Sequence, residues 1–393
     1  MTAAGTDTDL VNRVRALRPL VRDHALRAEQ ERRVTPEVAA ALTDAGIHRM
    51  NVPRRYGGHQ SRLGTQVDAV AEIASACGST AFKTVIQAGC SYIAALFPDE
   101  AQDEIFTDPD AKVGGTLVPD ATALRLDGGY LVNGTSGFAT GCHDADWHLL
   151  TVRVQSESGE GPPELLWTAV PMAELEILDD WYVSGLAGTG SDSVVARDVF
   201  VPAHRVLPVG PLLAGEIGSK TNADDPFYRM PVLLLFCVWT APNALGLARS
   251  ALAEFTERSR RRGITYTLHQ RQNEATVTHL LAAEAAMKIS CAELLTADFV
   301  ALIESRAQSG EPYTPEERAR IRAQSGYVAR LCKEAVDLLG SAAGASSLHR
   351  DVPIQRAVRD LHALSLHAFV NPATNLEIYG RVLSGVDPGT PFL

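Results

Sequence analysis

Apolar side chains near the N-terminus return at the spacing of a helix. Leu10, Val14, Leu17 and Val21 recur with charged residues between them, so Leu10 to Arg33 predicts one amphipathic helix. Thr35-Pro36-Glu37 sets an N-cap ahead of a proline at the first helical position and predicts a second helix, ending near Gly46. Helical stretches follow at Thr65 to Cys77 and Val85 to Leu96, before Pro98. After Asp110 the pattern changes. Gly128-Gly129 and Asn133-Gly134 are turn signals, and Tyr130 to Val132, Trp147 to Val154, Leu165 to Val170 and Val194 to Val201 are β-rich runs. Past Pro231 the helical spacing resumes, and Thr314-Pro315-Glu316-Glu317 has the form of a capping box before a helix to Leu339. The Gly/Pro-rich stretch Gly210 to Pro226 predicts a linker or mobile loop. The pattern gives a helix–β–helix order.

Composition narrows the function classes. The 393 residues carry 36 Lys+Arg against 47 Asp+Glu, a net charge of −11, and 46% are hydrophobic. Such a chain can bury a large core and is not expected to be disordered. Apart from Arg260-Arg261-Arg262 it has no basic run, so nucleic acid and anionic membranes are poor partners. The six cysteines form no Cys-x-x-Cys pair and read as reduced thiols. Met1 to Asp9 is polar, without a signal-peptide core, and the longest apolar run, Val232 to Val238, is too short to span a bilayer. A cytoplasmic protein is expected.

Common catalytic motifs are absent or broken. Gly218-Ser219-Lys220-Thr221 interposes a serine where a P-loop needs glycine before lysine. Gly185-Leu186-Ala187-Gly188-Thr189-Gly190 lacks the Rossmann order of glycines, so a sharp turn between strands competes with a cofactor loop. His362 and His367 are five apart and cannot ligate one metal from one helix face, and no metal is expected. Neither His-Glu-x-x-His nor Gly-x-Ser-x-Gly occurs.

Local stretches carry a resemblance. Val52-Pro53-Arg54-Arg55-Tyr56-Gly57-Gly58, and Gly188-Thr189-Gly190-Ser191 followed by Asp198-Val199-Phe200-Val201-Pro202, resemble the flavin-binding acyl-CoA dehydrogenase fold over essentially the whole chain. That resemblance implies an α+β, mainly α architecture: an N-terminal helical domain (1–113), a central small β-barrel domain (114–208) and a C-terminal four-helix bundle (209–393). A dehydrogenase of this fold needs a carboxylate to take the substrate's α-proton. Here Val370 to Asn375 contains no acid, and neither does Val232 to Leu247. Desaturation lacks its base.

Phe138-Ala139-Thr140-Gly141 with Ala145-Asp146-Trp147, Arg359-Asp360-Leu361-His362-Ala363 leading to His367, and Tyr379-Gly380-Arg381-Val382 resemble one branch of that fold, the two-component flavin-dependent monooxygenases. The resemblance implies reduced FMN or FAD from a separate reductase, O₂ added at flavin C4a, and one oxygen atom delivered to a small organic substrate of aromatic or polyketide type. It places Thr140 near flavin N5 and His367 beside C4a as the catalytic residues. Cofactor contacts are then expected from Thr140, Trp147, Thr189, Ser191, Arg260, Gly340 and Gly344, and a substrate pocket from Cys90, Thr116 and Asn371. Each has a plain alternative: a turn hydroxyl for Thr140, a buried polar ring for His367, a core ring for Trp147, helix packing for Gly340 to Gly344, and a solvated charge for the arginines. The sequence departs from the branch at Cys90, where some members carry a histidine, and at Ala187, where an arginine is usual. A homotetramer whose subunits complete each other's flavin sites is implied. The competing functions are N-oxygenation of an amino sugar, a dehydrogenase recruiting an acid such as Glu254, and a scaffold that binds no flavin.

Overall fold

The structure is a computed structural model that describes residues 3–155 and 162–393, with side chains from Asp9 onward, so Met1 and Thr2 of the polar N-terminal stretch lie outside the described residues. The predicted first helix is two, α1 (Ala3–Ala16) and α2 (Arg18–Glu31), which meet at Leu17. Pro19 explains the break, since proline has no N–H for the helical ladder and is tolerated only in a first turn. α3 (Pro36–Asp44), α4 (Leu63–Ala74), α5 (Gly78–Ala94) and α6 (Asp99–Ile105) complete the N-terminal region.

Seven strands follow: β1 (Val113–Leu126), β2 (Gly129–Ser136), β3 (Trp147–Val154), β4 (Glu164–Pro171), β5 (Glu176–Ile177), β6 (Val194–Pro202) and β7 (Val206–Pro208). They form one sheet in the order β5-β6-β2-β1-β3-β4-β7, with β1 and β3 parallel and the other pairs antiparallel. The expected barrel is therefore corrected to an open mixed sheet. A barrel pairs its outermost strands; here β5 and β7, two and three residues long, each have a single neighbour. Short edge strands also leave little unpaired backbone exposed. The sheet has no need to roll shut. Val113, Leu149, Trp167 and Ala169 pack into the core shared with α5, while Val132, Leu150, Val152 and Val170 make a second core on the other side.

After α7 (Val209–Leu213) come three long helices, α8 (Val232–Ser259), α9 (Thr276–Ser309) and α10 (Pro315–Ala342), then the short α11 (Pro353–Leu364) and α12 (Pro372–Leu383). The C-terminal region thus has three long helices and two short ones flanking α10, not four of equal rank. The capping box is formed: Glu317 N–H donates to Thr314 Oγ1 at 3.1 Å, and Thr314 N–H to Glu317 Oε2 at 2.9 Å. The expected mobile loop is pinned instead. Asp99 accepts from Ser219 Oγ at 2.6 Å and Thr221 Oγ1 at 3.1 Å, and buried Asn222 donates to Ala95 O. One helix among the described residues, α8, is long and apolar enough to cross a membrane, but its most apolar window is 94% buried in the protein. It is the core that α4, α5, α10 and α11 cover.

Candidate active site

β2 ends in a turn whose backbone decides the site. Phe138 and Gly141 both lie at positive φ, +59° and +75°. A side chain at Gly141 would be strained there, and its Cβ would stand 2.9 Å from Gln87 Nε2 on α5. The tight approach turns Thr140 inward. Its Oγ1 is 2.9 Å from Ser191 Oγ, which is 2.7 Å from Thr189 Oγ1, and Thr189 donates to Leu186 O at 2.8 Å. All three hydroxyls are buried. Beside them the Phe138 ring is 73% exposed, resting edge-on against Trp181. The expected Thr140, Thr189 and Ser191 are thereby brought together; Phe138 is not among the expected contacts, and its exposure is what marks it.

α5, α8 and the segment after α11 build an aromatic cluster. Phe82 meets His367 edge-on at 5.7 Å, Phe369 lies 5.8 Å beyond, and Phe369 stacks on Phe236 at 5.0 Å. Trp239 and Tyr92 continue it at 5.5 and 5.7 Å. α11 stops at Leu364, so His367 sits in the turn before α12 rather than on a helix. Burial pushes its pKa down to about 4, leaving the ring neutral at pH 7. Nδ1 faces the Phe369 N–H at 3.4 Å, which favours the proton on Nε2.

The other expected residues scatter. Cys90 is buried on α5, its thiol pushed up to about 12 by burial, and a Cβ at Gly115 would lie 2.8 Å from its sulfur. Thr116 follows Gly115 on β1 and so points to the opposite face of the strand, where its buried hydroxyl has no partner. Cys90 and Thr116 do not share a wall. Asn371 caps α12, accepting from Ala373 N–H at 3.0 Å. Trp147 lies under the Arg205 guanidinium at 5.1 Å, at the start of β3.

Arg260 is exposed and 3.6 Å from Glu257, whereas Arg262 donates to Ala343 O and Ser346 Oγ at 2.6 Å each, beside Gly344. Gly340 packs α10 on α11, where a Cβ would come within 2.8 Å of Val358. It also lines a cleft of about 1010 Å³ together with Arg32, Tyr182, Ala187, Arg350 and Arg359.

No acid replaces the missing dehydrogenase base among the described residues in this cluster. Glu254 lies 4.0 Å from Arg258 on the last part of α8. Asp144 is bound by Lys83 and Gln87, and Asp360 accepts from Leu186 N–H at 2.7 Å with its carboxyl raised to about 6 by burial. Cys142, His143 and Asp192 bring possible ligand atoms within 4.8 Å of one another. Their partners are already protein groups: His143 Nε2 is 2.7 Å from Asp192 Oδ2, and Asp192 Oδ1 accepts two backbone N–H groups at 2.9 Å. The cluster reads as a braced histidine–aspartate pair. A buried hydroxyl trio, an uncovered aromatic ring and an apolar aromatic cluster suit a planar heteroaromatic cofactor with polar edges.

Comparison with known proteins decides the family. Residues 10–109 match the acyl-CoA dehydrogenase N-terminal domain and residues 238–372 its C-terminal domain. A pigment production hydroxylase of Rhodococcus sp. is 31% identical, with 99% of each chain covered. The chain belongs to the flavin-dependent monooxygenases of the acyl-CoA dehydrogenase fold. This monooxygenase is also 31% identical to the oxygenase component of the FADH(2)-dependent resorcinol hydroxylase of Rhizobium sp., covering 96% of this chain and 95% of the relative. XiaF from Streptomyces sp., solved in complex with FADH2 and glycerol, superposes with a TM-score of 0.93 at 30% identity over 100% of the monooxygenase and 98% of that chain.

Proposed function

We propose that the monooxygenase is the oxygenase component of a two-component system that hydroxylates a small aromatic molecule between the hydroxyl turn and the aromatic cluster. The reading rests on two clusters that both contact α5: Thr140, Ser191 and Thr189 linked at the turn whose Gly141 packs on α5, and His367 against Phe82 of α5 with Phe369 and Phe236 beyond. Reduced FAD or FMN, brought by a separate reductase, supplies two electrons, so that one atom of O₂ enters the product and the other leaves as water. Thr140 Oγ1 accepts from the cofactor's N–H edge, backed by Ser191, and Phe138 covers a ring face. The arginine-lined cleft beside Ala187, two residues before Thr189, takes the phosphate end. Phe236, Phe369 and Trp239 keep water out. His367 stays neutral and donates from Nε2 toward the reacting oxygen.

A cytoplasmic homotetramer, with exposed Arg260 reaching a neighbouring subunit's cofactor, completes the reading. Light scattering that gives a monomer would remove that role for Arg260. The central test is His367→Ala with reduced FMN and O₂. Reduced-flavin binding by anaerobic titration is expected to hold within about threefold, while product falls about a hundredfold and hydrogen peroxide rises in its place. Unchanged product, or a wild-type protein that binds no reduced flavin, overturns the assignment.

A further inference from the structure

Ser184, Gly185 and Leu186 run along α11, and each is held there. Arg359 Nη1 donates to Ser184 O at 2.6 Å, a Cβ at Gly185 would collide with the Arg359 carbonyl, and Leu186 N–H donates to Asp360 Oδ1 at 2.7 Å. Leu186 needs the restraint. It lies at φ +53°, a left-handed backbone that a leucine keeps only where its surroundings impose it. With its N–H fixed from α11, its carbonyl serves the hydroxyl turn: Leu186 O accepts from Thr189 Oγ1 at 2.8 Å, from Thr189 N–H at 3.1 Å and from Trp181 Nε1 at 3.4 Å. Thr189 leads through Ser191 to Thr140, and Trp181 meets the exposed Phe138 edge-on. Leu186 therefore stands between Asp360 and every group that the flavin reading assigns to the turn.

The far end of α11 leads to the other cluster. The helix ends at Leu364, four residues after Asp360, and the chain beyond is bonded back onto it: Leu366 N–H donates to Ala363 O at 3.2 Å and His367 N–H to Leu364 O at 3.0 Å. α11 thus carries His367 on a short hydrogen-bonded turn. Asp360 itself is 2% exposed, and its Oδ2, beside Gly78 at the start of α5, has no hydrogen-bond partner. A buried carboxyl satisfied at one oxygen alone costs stability. What it secures is the place of Leu186.

We propose that Asp360 is a positioning residue for the cofactor site: through Leu186 it ties the turn of Thr140, Thr189 and Ser191 to the helix that carries His367, so that the two clusters keep a fixed relation. The assignment rests on the flavin reading of those residues and adds the group that joins them.

The test uses the full chain, with anaerobic titration by reduced FMN and hydrogen exchange read by mass spectrometry. Asp360→Leu removes the acceptor at similar volume, Asp360→Asn keeps an acceptor for Leu186 N–H, and Gly185→Ala leaves Asp360 intact but lifts the segment from α11. Asp360→Leu and Gly185→Ala are each expected to weaken reduced-FMN binding about tenfold and to speed exchange about tenfold over residues 184–191 and 365–371, with α9 and α10 unchanged. Asp360→Asn is expected to bind within about threefold of the wild type. Reduced FMN bound as tightly by Asp360→Leu as by the wild type, equal losses in Asp360→Asn and Asp360→Leu, or exchange raised along the whole chain overturns the proposal. Melting curves report folding. Should Asp360→Leu not fold, Gly185→Ala decides by the same measurements; failure of both to fold overturns the proposal as well, since the tie then serves stability and not the site. A wild type that binds no reduced FMN ends the flavin reading, while exchange at 184–191 still reads whether Asp360 holds the turn.

Discussion

The two sides of the candidate site are built on opposite plans. On the β side, Thr140, Ser191 and Thr189 satisfy one another within two turns, and the apolar ring next to them, Phe138, is the group left uncovered. On the helical side the rings of Phe236, Phe369, Trp239 and Tyr92 cover one another, and the groups left over are polar: Gln87 Oε1 on α5 and Asn243 Oδ1 on α8. At the turn the three hydroxyls are satisfied and a ring is left open; among the helices the rings are covered and polar atoms are left over.

The strongest blow to that comparison is Trp239→Ala. Trp239 fills the space over Gly89, where a Cβ would meet its ring at 2.8 Å, and its indole N–H donates to Gln66 Oε1 at 3.0 Å. Its loss is expected to cost about 3–5 kcal/mol, read by urea unfolding. A loss under about 1 kcal/mol would mean the cluster does not carry the packing. Acid should come next. His48 and His148, pushed to about 3 and about 4 by burial, are neutral when folded but take protons near pH 6.5 when unfolded. Half-buried His367 adds a smaller share of the same sign. Asp360, raised to about 6, holds a proton in the folded state that the unfolded chain releases, and so offsets one histidine between about pH 6 and pH 4. Stability is therefore expected to be greatest above pH 6.5 and to fall on acidification by at least about 1.4 kcal/mol per pH unit, a trend that melting curves from pH 7 to pH 4 would check.

Ser191→Ala probes the other side. It removes the middle hydroxyl, leaving Thr140 Oγ1 without its partner, and is expected to weaken reduced-flavin binding about tenfold while costing about 1 kcal/mol in stability. Reduced flavin bound by Ser191→Ala as tightly as by the wild type would erase the division between the sides. The smallest effect is expected away from both. Thr314→Ala removes the α10 capping box and should cost about 1 kcal/mol in urea unfolding without changing the flavin titration.

What could be read from the residues was local. The capping box, the proline-led α3 and the turn at Gly128-Gly129 depend on neighbours in sequence, and each stands where expected. The open sheet was not legible, because closure depends on whether β5 and β7 find each other across the region. Nor was the separation of Cys90 from Thr116, which depends on strand parity at β1. The hydroxyl trio came through the Phe138 to Gly141 and Gly188 to Ser191 motifs together. Lys83 was missed, although a lone lysine in the otherwise uncharged α5 is a signal that a buried counter-charge waits elsewhere.

α8 is buried by helices on both sides of it in the chain, α4 and α5 before it and α10 and α11 after it. During synthesis the ribosome has therefore released Val232 to Ser259 before half of its cover exists. A nascent chain arrested ahead of α10 would display a 28-residue oily rod to the crowded cell, which makes that interval the one in which chaperones have most to hold.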